Sequence, residues 1–409
     1  MSVATTIDTD VIIVGGGIAG STLASLLASG NIKCAILEER AKGADLGKED
    51  PRTLAITRAS ENILRASGAW KFLPKEKTGL FRRMFVWEEE GKGDIEFNSA
   101  EICESTLGYI IEQNVLEWAL QKSTKEFDQL TLYQPATIKT LNVGQDNVSV
   151  ELSDGRKLSA KVIVGADGAK SALRELACIA YPVHDYQQHA VACIVETEKP
   201  HDYVARQRFL ATGPLAFLPT AERHHCGVVW SSSPEQANAL LKMDATAFNR
   251  TLAEAFSFTL GHIISSKPRA GFPLQHAHAR HYCLPRIALI GDAAHTVHPL
   301  AGQGANLGLL DAATLAEVML DAVNNHKDIG TYSILRRYER WRRGENLLML
   351  KTIQGFKLLF ESRLASVRHI RNIGLDLTDM ISPVKHIIMR HAMGLSGDLP
   401  RFARTLYNV

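Results

Sequence analysis

The chain has 409 residues and a formal net charge of +2, with 45% hydrophobic and 22% charged residues. This balance gives no electrostatic footprint for a nucleic-acid partner, and no apolar run approaches the ~20 residues of a membrane-spanning helix. The length predicts two domains, or one large α/β domain with an inserted lobe. Residues Met1–Asp10 resemble neither a secretory signal nor a mitochondrial presequence, which favours a bacterial cytoplasmic protein or an already trimmed mature form.

Neither the cysteines nor the histidines predict a metal site. The cysteines form no CxxC pair, and we expect reduced thiols rather than disulfides or zinc ligands. His276 and His278 would share one face of a strand, but no nearby acid or cysteine completes a ligand set, so we predict no metal. The six cysteines are Cys34, Cys103, Cys178, Cys193, Cys226 and Cys283.

A dinucleotide-binding pattern opens the chain. An apolar run, Asp10–Val14, predicts a buried strand, and the glycine pattern G-x-G-x-x-G occupies residues 15–20. A predicted helix, Ser21–Ser29, leads to a second strand, Lys33–Leu37, which ends at Glu38. Strand, glycine turn, helix, strand and acid together predict a nucleotide site far better than the glycines alone.

Each element of this pattern has a physical task. Gly15 allows a tight turn, Gly17 lets a pyrophosphate approach the backbone, and Gly20 lets the helix pack closely on the strand. Glu38 is placed to accept hydrogen bonds from ribose hydroxyls. The backbone of the first helical turn completes the predicted site, through Ile18 and Ala19.

Two later strands also deliver aspartates to turns. Val162–Val164 runs into Asp167-Gly168, and Arg174 follows one turn later. The stretch Arg286–Ala313 contains a strand ending at Gly291-Asp292, a loop over Pro299–Gly304 and a helix from Ala305. A strand-end carboxylate followed by a glycine loop and a helix N-terminus suits a ligand with hydroxyls and anionic oxygens. Three such sites favour FAD over NAD(P), because the flavin has more parts to hold.

Alternating strands between Ala190 and His281, interrupted by one predicted helix over Pro234–Phe256, indicate an antiparallel sheet that covers a substrate. The segment Arg82–Phe97 is predicted to pair with it as a hairpin, and Val148–Val164 to form a second hairpin. A helix is predicted to open at Tyr109 and to run to Leu120.

The C-terminal part is predicted to be helical and basic from Tyr332, with a solvated charged face. Within Thr352–Leu395, Pro383 divides two amphipathic helices. They can lie on a membrane surface, pack against a partner, or pack on the chain itself, and the sequence leaves these open. The predicted fold is therefore α/β, with a Rossmann-like FAD-binding domain (1–75, 105–180 and 282–345), an inserted antiparallel substrate-binding sheet (76–104 and 181–281) and a C-terminal helical region (346–409).

Three motifs together, GxGxxG at 15–20, GADGxxSxxR at 165–174 and GDAAHxxHPLAGQGxNLGLxD at 291–311, resemble those of the single-component flavoprotein aromatic hydroxylases of the p-hydroxybenzoate hydroxylase type. The residues of the third motif resemble those of the branch of this family that hydroxylates ubiquinone precursors. The likeness also covers 51–56, 213–219 and 228–231. It implies a flavin reduced by transient NAD(P)H, oxygen addition at flavin C4a, and transfer of one oxygen to an aromatic ring.

The resemblance also implies residue roles. Arg52 is expected to contact the flavin. In the family an arginine or glutamine near position 113 touches the flavin sugar chain; Asn114 stands where the arginine is expected, and Gln113 is expected to substitute for it. Asp167 and Gly168 are expected to serve the groove shared by FAD and NAD(P)H, and Gly291 and Asp292 the ribityl and pyrophosphate region. The expected reaction site comprises Pro299 against the ring face and backbone N–H groups near its pyrimidine edge, from Gly302, Gln303, Gly304, Ala305 and Asn306. His295 and His298 flank this loop, and a proton-transfer role and a structural hydrogen bond both remain open.

The sequence therefore predicts FAD- and NAD(P)H-dependent hydroxylation, with O2, of a hydrophobic polyprenylated phenol or quinone precursor. Two alternatives remain: hydroxylation of a small soluble aromatic compound, and a flavin-containing non-catalytic subunit of a ubiquinone-synthesis complex. The ring position, the choice between NADH and NADPH, peripheral membrane association and homo-oligomerisation stay open.

Overall fold

The computed structural model describes residues 6–47, 49–89, 94–297, 302–361 and 382–404. The helices are α1 (Ile18–Ala28), α2 (Arg58–Ala66), α3 (Gln113–Thr124), α4 (Ala172–Leu176), α5 (Pro234–Lys242), α6 (Ala245–Ala255), α7 (Gln303–Asn324), α8 (Tyr332–Glu361) and α9 (Ser382–Ala392). The strands are β1 (Thr6–Asp8), β2 (Val11–Val14), β3 (Cys34–Leu37), β4 (Thr53–Thr57), β5 (Thr78–Phe81), β6 (Arg83–Glu88), β7 (Asp94–Asn98), β8 (Gly108–Glu112), β9 (Leu130–Tyr133), β10 (Ile138–Val143), β11 (Val148–Leu152), β12 (Lys157–Ala160), β13 (Val162–Gly165), β14 (Val183–Thr197), β15 (Val204–Leu210), β16 (Gly213–Pro219), β17 (His225–Ser232), β18 (Ile263–Ser266), β19 (Ala270–His278), β20 (Cys283–Leu284), β21 (Ile287–Leu289) and β22 (His295–Thr296).

A six-stranded sheet in the order β20-β21-β13-β2-β3-β9 forms the first layer. The five strands from β21 to β9 run parallel. Their register aligns the last residues Leu37, Val14, Gly165 and Leu289 at one level. Each strand therefore delivers the residues that follow it to the same edge of the sheet, which is where open parallel sheets bind ligands.

Apolar side chains explain why this sheet is buried. The strands β2, β3 and β13 are buried along their whole length, as near-continuous apolar runs in parallel sheets are. Helices α1 and α7 pack on each other over the sheet. Tyr338 of α8 is fully buried and donates its hydroxyl to the carbonyl of Leu289 at 2.7 Å. The two halves of the chain therefore share one core.

A nine-stranded sheet forms the second layer, in the order β22-β19-β14-β17-β16-β15-β6-β7, with β18 also on β14. The predicted hairpin is confirmed as β6 and β7, and β6 joins the large sheet beside β15. Val191, Cys193 and Phe217 pack on one face against Phe248 and Phe256 of the α5–α6 region. The opposite face of the sheet is left for other contacts.

Three local predictions were wrong. Tyr109–Glu112 belong to strand β8, and the helix starts at Gln113. The Ile110-Ile111 pair is β-branched and lies between β4 and β5, which favours a strand. The predicted helix over 234–256 is two helices, because Asp244 caps a new one by accepting the N–H of Ala247. Helix α7 begins at Gln303, two residues earlier than predicted.

The C-terminal predictions are met in part. Helix α8 begins at Tyr332, as predicted, and α9 begins at Ser382 with Pro383 in its first turn, where proline is favoured. Residues 362–381 lie outside the described residues. Arg342 contradicts the solvated-face prediction, because this α8 residue is 3% exposed. None of the helices within the described ranges combines the length and the apolarity that crossing a membrane requires.

Candidate functional site

The three predicted motifs meet at the carboxyl edge of the six-stranded sheet. The N–H of Ala166 donates to the carbonyl of Val14 at 2.7 Å, and the N–H of Ile290 donates to the carbonyl of Gly165 at 2.9 Å. Gly15 has φ +102°, and a Cβ there would lie 2.3 Å from the carbonyl oxygen of Ala166. Motifs separated by more than 100 residues in sequence are thus in direct contact.

The first loop has the shape that its glycines predict. A Cβ on Gly20 would lie 2.0 Å from the carbonyl oxygen of Gly15, so α1 reaches the turn only because residue 20 is glycine. A Cβ on Gly17 would meet no protein atom within 4 Å. Gly17 is also the N-cap of α1. Open space at the end of an 11-residue helix, where N–H groups lack intrahelical partners, suits an anion.

Glu38 is buried beside the first loop. Its Oε2 accepts the N–H of Gly16 at 2.8 Å, and its Oε1 accepts the N–H and the Nε–H of Arg40, each at 2.9 Å. Burial alone would raise the pKa of Glu38, but the hydrogen bonds from Arg40 and Gly16 outweigh it and lower the pKa. Glu38 is therefore a carboxylate, and its contact with ribose hydroxyls stays a prediction.

Arg40 is a residue that the sequence analysis missed. It also donates to Glu117 at 2.7 Å, and Gln113 donates to the other oxygen of Glu117 at 2.8 Å. Gln113 thus belongs to an ionic network that reaches Glu38. The signal available in the sequence was a basic residue two positions after the strand-end acid, which alone is not specific.

The second loop carries a carboxylate with an unused oxygen. Asp167 Oδ2 accepts the N–H of Leu173 at 3.2 Å, whereas its buried Oδ1 has no hydrogen-bond partner among the described residues. Burial raises the pKa of Asp167. Gly168 has φ +80°, and a Cβ there would meet nothing within 4 Å. The turn therefore faces open space at Gly168, and beneath it Asp167 carries a buried acceptor without a donor among the described residues.

Arg174 ties the second loop to the third. Its guanidinium donates to the carbonyls of Ala169 at 2.7 Å and Ala293 at 3.0 Å. It also lies 3.7 Å from the ring centroid of Tyr181, and the Tyr181 hydroxyl donates to the carbonyl of Asp292 at 2.9 Å. Arg174 is 5% exposed, so it fixes loop geometry and is shielded from a ligand.

In the third loop, Asp292 is exposed whereas the flanking Gly291, Ala293 and Ala294 are buried, so Asp292 lies in a recess between buried neighbours. The protein around the recess raises the pKa of Asp292 by desolvation, and His295 partly offsets this. Gly291 has φ +58°, and a Cβ there would lie 3.3 Å from that of Ala19, so the third loop sits directly on α1.

The start of α7 lies beside β4. Gly302 is its N-cap with φ +62°, and a Cβ there would lie 2.9 Å from that of Ala55. Asn306 donates to the carbonyls of Ala55 at 2.8 Å and Gly302 at 2.9 Å, and accepts the N–H of Thr57 at 3.0 Å. The Asn306 side chain is thus used to hold β4, while the first-turn N–H groups of α7, at Gln303, Gly304 and Ala305, belong to the helix end that favours anions. Pro299 and His298 lie outside the described residues.

Arg52 lies where the site meets the large sheet. Its guanidinium pairs with Asp50 at 3.1 Å and lies 5.6 Å from the ring centroid of Phe272, on β19. Its carbonyl accepts the N–H of Gln113 at 3.0 Å. The two residues predicted to contact a flavin are therefore neighbours, and the guanidinium has an acidic partner of its own.

The face of the nine-stranded sheet that does not pack on α5 and α6 lies against this site. A Cβ on Gly227 would lie 2.5 Å from Oγ1 of Thr53, which follows Arg52. Strand pairing places Ala192, Val229 and Ala216 side by side on the same face as Gly227. Small apolar side chains line this part of the sheet, and at Gly227 the sheet touches Thr53 directly.

The histidines of β19 take separate neighbours. The ring centroids of His276 and His184 are 4.8 Å apart. His278, in contrast, forms a hydrogen bond with the Tyr282 hydroxyl at 3.0 Å. Within the described ranges, no group of three or more His, Cys, Asp or Glu side chains is placed to hold a metal ion. All six cysteines are free thiols.

Comparisons with known proteins show the family of this chain. The model of the "FAD binding domain" family matches residues 8–346. The 3-demethoxyubiquinol 3-hydroxylase of Escherichia coli is 33% identical over 95% of this chain and 99% of its own. The ubiquinone hydroxylase UbiL of Rhodospirillum rubrum is 35% identical over 97% of this chain and 92% of its own. The chain belongs to the FAD-binding family of ubiquinone hydroxylases.

A solved structure supports the fold of this hydroxylase. The p-nitrophenol 4-monooxygenase PnpA of Pseudomonas putida superposes with a TM-score of 0.78, covering 96% of this chain and 100% of its own. At 18% identity, this likeness shows the fold alone. The predicted family, α/β fold, FAD cofactor and flavin-dependent aromatic hydroxylase activity are confirmed.

The residues of the hydroxylase fit FAD. Gly17 leaves space at a helix N-terminus for the anionic pyrophosphate, and Asp292 opens into a recess where it can accept from hydroxyls. Asp167 has a buried oxygen that lacks a donor. These acceptors and N–H groups lie at one sheet edge, as a cofactor with both hydroxyls and anionic oxygens requires.

Proposed function

We propose that this hydroxylase adds oxygen to the ring of a polyprenylated phenol or quinone precursor in ubiquinone synthesis, using FAD, NAD(P)H and O2. The observation that carries the substrate class is the face of small apolar side chains opposite Arg52 and Thr53, with Ala192, Ala216 and Val229 in a row. A hydrophobic ring can lie there without burying an unpaired charge. The relatives named above act in the same chemistry and match the chain along its whole length.

We also propose how FAD is held. Gly15, Gly17 and Gly20, with the backbone of Ile18 and Ala19, take the pyrophosphate and the ADP half, and Glu38 accepts from the ribose. Gly291 and Asp292 take the ribityl and pyrophosphate region. The remaining contacts are proposed for Arg52, Gln113, Asp167, Gly168, Gly302, Gln303, Gly304, Ala305 and Asn306, with Pro299 at the ring face.

The chain's own part in the reaction is binding, orientation and exclusion of water. Bound FAD would accept a hydride from NAD(P)H and activate O2. The positive end of α7 stabilises negative charge near Gly302, Gln303 and Gly304, where we place the pyrimidine edge of the flavin. The large sheet covers this region and keeps water from the reacting atoms.

The proposed domain division follows the two layers. Residues 1–75, 105–180 and 282–345 would hold FAD, residues 76–104 and 181–281 would hold the substrate, and 346–409 would form the helical C-terminal region. Strand β22 is a departure within this scheme, because His295–Thr296 from the FAD-binding part join the large sheet. That pairing links the third loop physically to the substrate layer.

The cofactor assignment predicts loss of flavin in two variants. Gly17→Val adds bulk in open space, so the fold should survive while the pyrophosphate is blocked. Asp292→Ala removes a charge-assisted contact of roughly 1.5–3 kcal/mol, which corresponds to a roughly 10- to 150-fold rise in the FAD dissociation constant. Fluorescence titration of each apoprotein with FAD measures both.

Matched controls separate a site effect from general damage. Gly344→Val also adds bulk where nothing lies within 4 Å, on α8, and Asp154→Ala removes an exposed aspartate paired with Arg156. Both should bind FAD like the wild type. Full flavin occupancy in Gly17→Val or Asp292→Ala would contradict the roles given to the first and third loops.

The substrate class is tested by mass spectrometry of quinone intermediates in a deletion strain. We expect an accumulated polyprenylated precursor that lacks one ring oxygen, and wild-type protein should restore the quinone whereas Gly17→Val should not. Normal quinone levels in the deletion strain would refute a role in this synthesis.

We further propose that the C-terminal region contacts a membrane surface or a partner of the synthesis complex. On α9, Ile387 and Ile388 are 68% and 41% exposed, beside the exposed Arg390. Apolar side chains next to a cation suit the surface of an anionic bilayer. In a flotation assay, more of the wild-type protein than of the Ile387→Ser/Ile388→Ser variant should therefore be recovered with vesicles that contain anionic lipid. Ile264→Ser, which changes an exposed isoleucine of β18, is the control, and equal flotation of all three proteins would refute membrane contact.

A further inference from the structure

A buried carboxylate lies directly behind the third loop. Asp311 of α7 is 0% exposed and accepts four hydrogen bonds. Its Oδ2 accepts from Gly291 N–H at 3.1 Å and from His295 Nε2 at 2.5 Å. Its Oδ1 accepts from Arg342 Nε at 2.9 Å and from Asn346 Nδ2 at 3.0 Å. Oδ2 thus accepts hydrogen bonds from the third loop, and Oδ1 accepts them from α8.

The carboxyl group of Asp311 is ionised at neutral pH. Burial alone would raise its pKa, but His295, Arg342 and Asn346 outweigh burial and lower the pKa to about 2. A carboxylate accepts at about four positions, and four donors occupy them here. Because Asp311 is inaccessible, it can affect a ligand only through the groups that it holds.

Two groups of the third loop depend on Asp311. Gly291 lies between α1 and α7, where a Cβ would approach Ala19 at 3.3 Å and Gly308 at 3.7 Å. Packing limits where Gly291 lies, and the hydrogen bond to Asp311 fixes the direction of its N–H. The His295 ring is oriented from one side only, since its Nδ1 has no hydrogen-bond partner in the described part of the chain.

The oxygen facing α8 is anchored to a wider network. Arg342 donates to Asn346 at 2.7 Å, and Asn346 donates to the Tyr282 hydroxyl at 3.3 Å. The Tyr282 hydroxyl bonds with His278 Nε2 at 3.0 Å. Burial, with the nearby His295 and Arg343, lowers the pKa of His278 to about 4. A neutral His278 can accept a hydrogen bond from the Tyr282 hydroxyl, whose oxygen accepts from Asn346. The network therefore joins α7, α8 and β19.

We propose that Asp311 is a positioning residue for the flavin turn. It holds Gly291 and His295 in place, and thereby sets the position of Asp292, which lies between them and opens into the recess. Arg342 and Asn346 fix Asp311 from α8. This inference rests on the proposed contact of Asp292 with FAD and does not depend on which ring is hydroxylated.

A double-mutant cycle tests the proposal through FAD affinity. Asp311→Asn keeps the size of the side chain but turns one acceptor oxygen into a donor, which faces existing donors on either side. We expect the FAD dissociation constant of the folded apoprotein to rise by about tenfold, the effect of losing about one hydrogen bond to a charged group. In an Asp292→Ala background, the same substitution should change FAD affinity little, because its effect passes through Asp292.

A purely structural role gives a different pattern. Losses in FAD affinity would then add in the double variant, and that result, or unchanged affinity in folded Asp311→Asn, would overturn the proposal. Asp328→Asn is the matched control, since it removes the carboxylate that pairs with the buried Arg286 before β21. It should lower stability and leave FAD affinity unchanged.

A milder variant decides the matter if Asp311→Asn does not fold. Asn346→Leu removes one uncharged donor from the α8 side and leaves three donors on Asp311. FAD affinity should fall by about threefold, as for the loss of one ordinary hydrogen bond, and again little in the Asp292→Ala background. Unchanged or additive affinity in this variant would overturn the proposal. Gly17→Val and Asp292→Ala test the proposed FAD contacts directly. If these two variants lose FAD as expected, unchanged affinity in the Asp311 or Asn346 variants refutes only the positioning role of Asp311.

Discussion

The parallel pairing of β2, β13 and β21 is the constraint on which the site depends. Gly165 lies opposite Val14 on one side and Leu289 on the other, so three loops leave the sheet at one level. A register shift of one residue would move one loop along the edge by about 3.3 Å relative to the next. The observed register therefore places the loops that carry Gly15, Asp167 and Asp292 together.

Buried polar side chains then fix the loops on that edge. Arg174 bonds with carbonyls of the second and third loops, and Asp311 holds Gly291 and His295. Burying such charges is costly unless every group is paired. Here Arg174 and Asp311 are each paired within the described residues, and the exposed Asp292 is left for a ligand. Rigid surroundings with a few unused acceptors are what a preorganised cofactor site requires.

Much of this arrangement could be predicted from the sequence, because it is local. The glycine pattern around Gly17, the strand-end aspartates and the hairpin over β6 and β7 follow from short-range spacing. The strand Tyr109–Glu112 was missed because a short apolar run fits either a helix or a strand, and its pairing with β4 and β5 decides. Domain assignments and individual flavin contacts stay predictions.

The ionic partners could not be predicted, since they are long-range. Arg342 was expected on a solvated face because four other basic residues lie near it in the sequence. Those four are exposed, yet Arg342 pairs with Asp311 on another helix. The periodicity of a helix identifies a face and does not identify what covers it. Arg40 was equally unremarkable by type. Arg174 belongs to the second motif, but only the fold shows that it joins that motif to the third.

A crystal structure of the protein with FAD bound tests the central claim most directly. The account predicts the pyrophosphate against Gly17, the ribityl chain within hydrogen-bond distance of Asp292, and the pyrimidine edge of the flavin at the N-terminus of α7. The Asp311 contacts with Gly291 and His295 should be unchanged in the complex. A flavin bound away from the three loops, or one with Asp292 out of reach, would contradict it.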